Sequence, residues 1–457
     1  MRLFLSPFAA RTALRTALFT SASCALALAA QAQTASENPE SQDADDTVTV
    51  YATTNPIPVF DFPGQVTVIS REDVETFAPS SISDMLRDVP GVDFAGGPRR
   101  TGEAPSIRGL SGENVLILLD GARQSFISAH DGRFFLDPDL VATAEAVRGP
   151  ASALYGSGAV GGVLAFETVD AADLLRDGET FGARFRVGYQ SVNEETLATA
   201  TAFGASGGFD GLASIGLRQS GDISLADDTE LRSDDDIQSF LLKGGYQFTE
   251  AFSADASWQR FQNTAMEPNN GQGVGTTGDP LLDRDVEKDI ETDSYRVGLN
   301  FDPMSNLINT SFTAYSSTTG VDEFDETTSR SALREINTSG ASIRNASRFD
   351  TENSTTIFTI GADYYEDEQT GRDTDTANGT RGGVPNANTQ FTGVFAQLET
   401  EFDTAIGQFI LIPGVRYDEF ESSSETAPAG SSDDSVSPRF AASYGPNEWF
   451  RVFGSYS

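Results

Sequence analysis

Histidine, lysine and cysteine are almost missing from these 457 residues. There is one histidine, His130, and one cysteine, Cys24, and the only lysines are Lys243 and Lys288. Cys24 falls inside an N-terminal export-type segment, so the chain beyond it has no thiol, which excludes disulfide frameworks and thiolate metal sites. The scarcity of lysine argues against phosphate chemistry on a P-loop. A formal net charge of -38 argues against a nucleic-acid partner, whose phosphates require Lys and Arg. No run of about 20 apolar residues follows the first 32, so helical membrane spans are excluded. The lone histidine has no Ser or Cys partner in a recognisable motif. The chain is therefore expected to be no enzyme, with no catalytic residues.

What is present begins with residues 1–32, which read as a signal peptide. Arg2, Arg11 and Arg15 precede an apolar run from Ala17 to Ala30, and Ala30-Gln31-Ala32 is a small-residue cleavage site. Removing those three arginines takes the net charge to -41. Residues 33–46 are polar and acidic and are expected to be a disordered leader. Thr47-Val48-Thr49-Val50-Tyr51 is β-prone. Such a segment suits strand addition to a partner's sheet edge, and equally the first strand of the next domain.

Residues 60–175 have the texture of a small mixed α/β domain. Val66 to Ile69 is a strand, Ser70 to Asp73 a capping-box-like helix start, and Ser81 or Ser83 opens a second helix that Pro90-Gly91 stops. Val115 to Leu119 is apolar on both faces, which predicts a buried strand. Ala151 to Tyr155 reads as a helical turn and Val160 to Glu167 as a closing strand. Gly156, Gly158, Gly161 and Gly162 permit the tight backbone turns between them.

From residue 180 to 457 apolar and polar residues alternate in segments of barrel-strand length. Ala183, Phe185, Val187 and Tyr189 share one face, and Arg184, Arg186 and Gln190 the other. Connections alternate between short turns and longer segments at 222–235, 263–292, 317–338, 366–390 and 418–435. That asymmetry is expected of an antiparallel transmembrane β-barrel of about thirteen strands. The odd count and the unpartnered segment Trp449 to Ser457 lead to the expectation of a truncated barrel, an N-terminal fragment of a longer protein.

The motifs Leu118-Leu119-Asp120-Gly121, Val147-Arg148-Gly149-Pro150, Leu154-Tyr155-Gly156 and Gly161-Gly162-Val163 carry a specific resemblance. With the signal peptide and the barrel texture, they resemble TonB-dependent outer-membrane receptors. The run from Asp120-Gly121-Ala122-Arg123-Gln124 through His130 to Phe135-Leu136-Asp137-Pro138 is most similar to the haem and haemoglobin receptor group. The resemblance implies a plug domain inside a barrel of about 22 strands. It implies a TonB box at residues 47–53, with Thr47, Val48, Thr49, Val50 and Tyr51 gripped by TonB and its inner-membrane motor.

It also implies active import of haem, free or from haemoglobin, across the bacterial outer membrane. Haem is then cargo, and no permanent cofactor is expected. His130 would ligate the haem iron as the site's metal ligand, with a second axial histidine in a loop beyond Ser457. Arg123, Arg133 and Phe126 are the other expected haem contacts. Arg108 and Arg148 are candidates to lock the plug to barrel carboxylates, or to pair within the plug. The acidic loops would repel free propionates, which favours a host carrier protein as docking partner, with outer-membrane lipid around the barrel. The alternatives are a receptor for a ferric siderophore or other nutrient, with His130 incidental, and a nonfunctional truncated product. The acidic runs at Asp234–Asp236 and Asp373–Asp375 read as solvated loop charge.

Overall fold

A computed structural model describes residues 48–49, 51, 54–273, 284–375, 379 and 384–457. The signal peptide, the acidic leader, Thr47 and Val50 lie outside the described residues. Two sheets of opposite character dominate. The smaller belongs to the plug and is buried on both faces. The larger is a wall of thirteen antiparallel strands around it.

The plug begins with β1 (Val48–Thr49), which pairs antiparallel with β2 (Ile57–Pro58). The β-prone segment thus finds its strand partner in its own chain. Next come β3 (Gln65–Ile69), α1 (Arg71–Phe77) and α2 (Ile82–Leu86). Ser70 caps α1 as its sequence suggests: its side chain accepts from the Asp73 amide, while the Asp73 carboxylate accepts from the Ser70 amide. Ser81 caps α2. A small three-stranded sheet follows, of β4 (Val92–Ala95), β5 (Ala104–Ile107) and β6 (Leu110–Ser111). The chain then forms β7 (Val115–Leu119), β8 (Ala122–Arg123), β9 (Val141–Arg148), α3 (Ser152–Tyr155), β10 (Gly162–Thr168) and α4 (Ala171–Leu174).

The central plug sheet has the order β3-β9-β10-β7-β8, and only the β10–β7 pair is parallel. Every residue of β7 is buried, as its uninterrupted apolar run requires. One face packs on Val74, Leu86, Leu140 and Phe166, the other on Phe62, Val147 and Val163.

The wall runs β11 (Phe181–Gln190), β12 (Glu195–Ser206), β13 (Phe209–Gln219), then β16 (Asp236–Thr249) after a small hairpin of β14 (Ile223–Ser224) and β15 (Glu230–Leu231). It continues with β17 (Phe252–Pro268), β18 (Asp285–Ser305), β19 (Ile308–Asp325), β20 (Arg330–Asp350), β21 (Ser354–Asp373), β22 (Ala387–Thr404), β23 (Gly407–Ser424), β24 (Ala427–Asn447) and β25 (Phe450–Tyr456). Each strand pairs with the next, so the order is linear. The period-two pattern sends Phe185, Val187 and Tyr189 outward, where they are exposed. Arg184 and Arg186 point inward to plug carboxylates Glu75 and Asp139. Leu242, Trp258 and Tyr295 stand side by side on the outer face through registered pairing, which suits an apolar solvent on that side.

Tight turns near 207–208, 250–251, 306–307, 351–353, 405–406 and 448–449 define a lower end. The connection 220–235 and the described ends of those after β17 and β21 lie at the other, upper end. Two long loops expected there are instead strand: β19 and β20 close at 326–329, and β23 and β24 at 425–426. The polar sequence of 317–338 and 418–435 concealed this, because a hairpin satisfies its backbone groups by cross-strand bonds whatever its side chains are.

Candidate functional site

His130 sits at the upper end of the plug, in the stretch between β8 and β9. Its backbone amide donates to Ser128 Oγ (3.1 Å), and its carbonyl accepts from the Gln272 amide (3.0 Å) in the connection after β17. The residue is half-buried. Its neighbours form a polar anchor. Ser128 Oγ donates to Asp131 (2.7 Å), and Asp131 is paired with Lys288 of β18 at 2.9 Å. Lys288 also pairs with Glu267 of β17 at 2.8 Å, and Thr101 Oγ1 donates to Glu267 at 2.6 Å. Lys288 and Glu267 are wholly inaccessible to solvent. A buried charge persists only when paired, so the histidine loop is pinned to the barrel wall by an acid–base–acid triad. Gly132 tightens the turn from below: a Cβ there would lie 2.8 Å from the Glu103 carbonyl, a backbone atom with no freedom to yield.

The other expected haem contacts occupy different places. Arg133 is buried, and its guanidinium donates to the carbonyls of Phe126, Gly112 and Val115. Burial lowers its pKa to about 10. Phe126 is buried in an upper plug–barrel cluster with Phe135, Phe261, Ile237, Ile290, Val321 and Ile336. Both side chains support the His130 loop from inside, and Arg133, like Arg123, lines the upper cavity of the plug–barrel seam. Arg123 is half-buried, donates to the Tyr155 carbonyl (2.9 Å), and lies 4.2 Å from the centre of the Tyr365 ring. It lines a cavity of about 650 Å³ at the upper end of the plug–barrel seam, walled by the stacked rings of Tyr365, Phe391 and Phe420. His130 does not line that cavity.

Arg108 and Arg148 bond within the plug. Arg108 donates to Gln65 Oε1 (2.6 Å), and Arg148 donates to the Pro90 carbonyl and to Thr67 Oγ1 (both 2.8 Å). The plug–barrel contacts largely reverse the expected polarity: most carboxylates belong to the plug and most cations to the wall. Asp137 receives a two-pronged bond from Arg218 (2.9 and 2.8 Å), Asp139 pairs with Arg186, Asp120 lies 3.9 Å from Lys243, and Asp61 pairs with Arg451 at 2.5 Å. Arg100 is the exception, reaching Glu195 and Asp235 on the wall side. Burial alone would raise the pKa of Asp137, but Arg218, with Arg100 and Arg186 nearby, holds it below the usual carboxylate range. The two lysines of the chain both point inward at plug acids. Their isolation in a nearly lysine-free sequence was the available signal. The acidic runs are also spoken for, since Asp235 pairs with Arg100 and Asp373 with Arg330.

At the lower end the Tyr51 amide donates to Glu145 Oε2 (3.1 Å), and Tyr155 Oη donates to the Tyr51 carbonyl (2.9 Å). Glu145 shares this region with Asp120 and Glu167. Burial, then Asp120 and Glu145, push Glu167 up to about 7, against Lys243. The folded form therefore holds a proton that the unfolded chain releases near the ordinary glutamate range. The resulting stabilisation is full below that range and is lost as pH rises through about 7. Denaturant midpoints of the full-length receptor should fall between about pH 5 and about pH 8, and Glu167→Gln should flatten that fall. An unchanged slope in Glu167→Gln would assign the effect elsewhere.

A barrel wall enclosing a plug, with the plug's N-terminal segment at the tight-turn end, defines a plugged-barrel receptor. Family models agree. The TonB-dependent receptor plug domain matches residues 58–163, and the TonB-dependent receptor-like β-barrel matches residues 174–457. The chain belongs to the TonB-dependent receptors. It is 33% identical over 441 residues to a protein named hemin receptor from Yersinia enterocolitica, covering 95% of this chain and 62% of that protein. Among solved structures it resembles the FrpB iron transporter of Neisseria meningitidis (TM-score 0.75, 22% identity, 86% of this chain and 65% of that one). It also resembles the Serratia marcescens hemophore receptor HasR, solved with its hemophore HasA and heme (TM-score 0.75, 19% identity, 87% and 63%). The chain thus spans under two thirds of each of these proteins.

Proposed function

We propose that this chain serves TonB-dependent import of haem, free or carried by a haemoglobin-type protein, across the bacterial outer membrane. The observation that carries this reading is the placement of the single histidine: half-buried, at the upper end of the plug, on a loop anchored by the Asp131–Lys288–Glu267 triad. A neutral imidazole ligates haem iron axially, and a pinned loop presents it with little loss of freedom on binding. The relative named hemin receptor supports the same cargo. Below His130, Arg123 offers a cation to an anionic cargo group entering the upper cavity. Val48 and Thr49, with Tyr51, form the described part of the segment that TonB would grip by strand addition. No bond in the cargo need be made or broken, so the chain acts by binding and release.

The test is a haem titration of the full-length receptor in detergent. The expected result is a Soret shift that saturates with haem and is lost in His130→Ala. A shift that survives the substitution would make His130 incidental, and a spectrum that haem leaves unchanged in the wild type would move the cargo reading to a ferric siderophore or another nutrient.

A further inference from the structure

Two cavities lie along the seam between plug and wall. The upper one, of about 650 Å³, is bounded by β21 to β24. The lower one, of about 630 Å³, opens among residues near the tight turns, including Tyr51, Glu167, Asp255 and Arg344. They share Leu116, Arg123 and Tyr365. Leu116 belongs to the buried plug strand and Tyr365 to the wall, so Arg123 is the long, rotatable side chain at the boundary. It is held on two sides, by the Tyr155 carbonyl and by the face of the Tyr365 ring. Gly158 (φ +92°) passes close behind it, where a Cβ would lie 3.2 Å from Arg123 Nη1.

The residue that holds Arg123 also holds the N-terminal segment. The Tyr155 carbonyl accepts from Arg123, while the Tyr155 hydroxyl donates to the Tyr51 carbonyl. Tension on Tyr51 therefore acts on the residue that clamps the boundary. Elsewhere the plug is riveted to the wall by buried ion pairs on β12, β13 and β18. At β21 to β23 the plug is held instead by hydrogen bonds, from Arg416 to the Leu154 carbonyl (3.1 Å) and from Asn55 Nδ2 to Thr359 Oγ1 (3.1 Å), and by the Arg123 cation over the Tyr365 ring, a contact that one rotating side chain can leave.

We propose that Arg123, clamped between the Tyr155 carbonyl and the Tyr365 ring, is the gate between the two cavities, and that Tyr155 links this gate to the Tyr51 segment. The route of cargo then follows the β21–β23 side of the plug. This inference rests on the transport reading but not on haem as the cargo.

The experiment needs no cargo: single-channel recording of the full-length receptor in planar lipid bilayers. Arg123→Ala should raise open probability at least about tenfold over wild type, since both clamps are lost. Tyr155→Phe, which removes one hydroxyl from the link, should raise it by a smaller factor. Thr199→Val removes one hydroxyl from a plug–wall bond to Asp139 on the opposite side and should stay as closed as wild type. If Arg123→Ala fails to insert, Tyr155→Phe against Thr199→Val decides. Closed Arg123→Ala and Tyr155→Phe channels, or a Thr199→Val channel that opens as readily as Tyr155→Phe, would overturn the proposal. A receptor that fails to bind haem but shows this pattern would discard the haem reading and keep the gate.

Discussion

Lys288→Met is expected to release the histidine loop and destabilise the receptor by about 3–5 kcal/mol, the usual effect of removing one partner from a buried ion pair. The substitution keeps most of the side-chain volume, so packing is not the issue. Asp131 and Glu267 would be left facing each other without a cation, both buried. The least costly escape is for the Asp131 loop to lift toward solvent, taking His130 with it. The full-length receptor should then unfold at lower denaturant and bind haem more weakly. Adding Asp131→Asn and Glu267→Gln to Lys288→Met removes the unpaired charges and should recover most of the stability. If Lys288→Met alone matches wild type in both measurements, the triad does not anchor the loop.

Deleting residues 46–51 should abolish uptake and leave surface binding intact. Binding is expected at the upper end of the plug, whereas Tyr51 lies at the lower end against Glu145 and Tyr155. The deletion removes the segment that TonB would grip but touches none of the residues around His130. The two Tyr51 hydrogen bonds and the short β1–β2 pairing are lost, at about 1 kcal/mol per bond, too little to unseat a plug held by several buried ion pairs. Uptake that persists in the deletion refutes energy coupling through this segment.

How much of this was legible in the sequence depended on whether the signal was local. The Ser70 cap, the doubly buried β7 and the alternating wall strands are local patterns, and each is found where the sequence places it. The upper hairpins at 317–338 and 418–435 were not legible, because their strand pairing needs no apolar face. Arg108 and Arg148 were natural candidates for the plug lock, but arginines near strand ends bond to whichever carbonyls the fold brings close, here within the plug. Phe126 and Arg133 flank His130 in sequence, yet face inward, because the loop folds over its own apolar and cationic residues. Lys243 and Lys288 were the overlooked clue. In a chain with so many acids, two lysines on inward faces mark where plug carboxylates meet the wall.

The central claim is that the lone imidazole receives haem at the outer end of the plug. Its most direct test is uptake of labelled haem by cells whose sole haem receptor is the full-length protein, comparing wild type with His130→Ala at equal surface levels. Uptake by His130→Ala should fall at least tenfold, equivalent to about 1.4 kcal/mol. Equal uptake by the two receptors would contradict that claim.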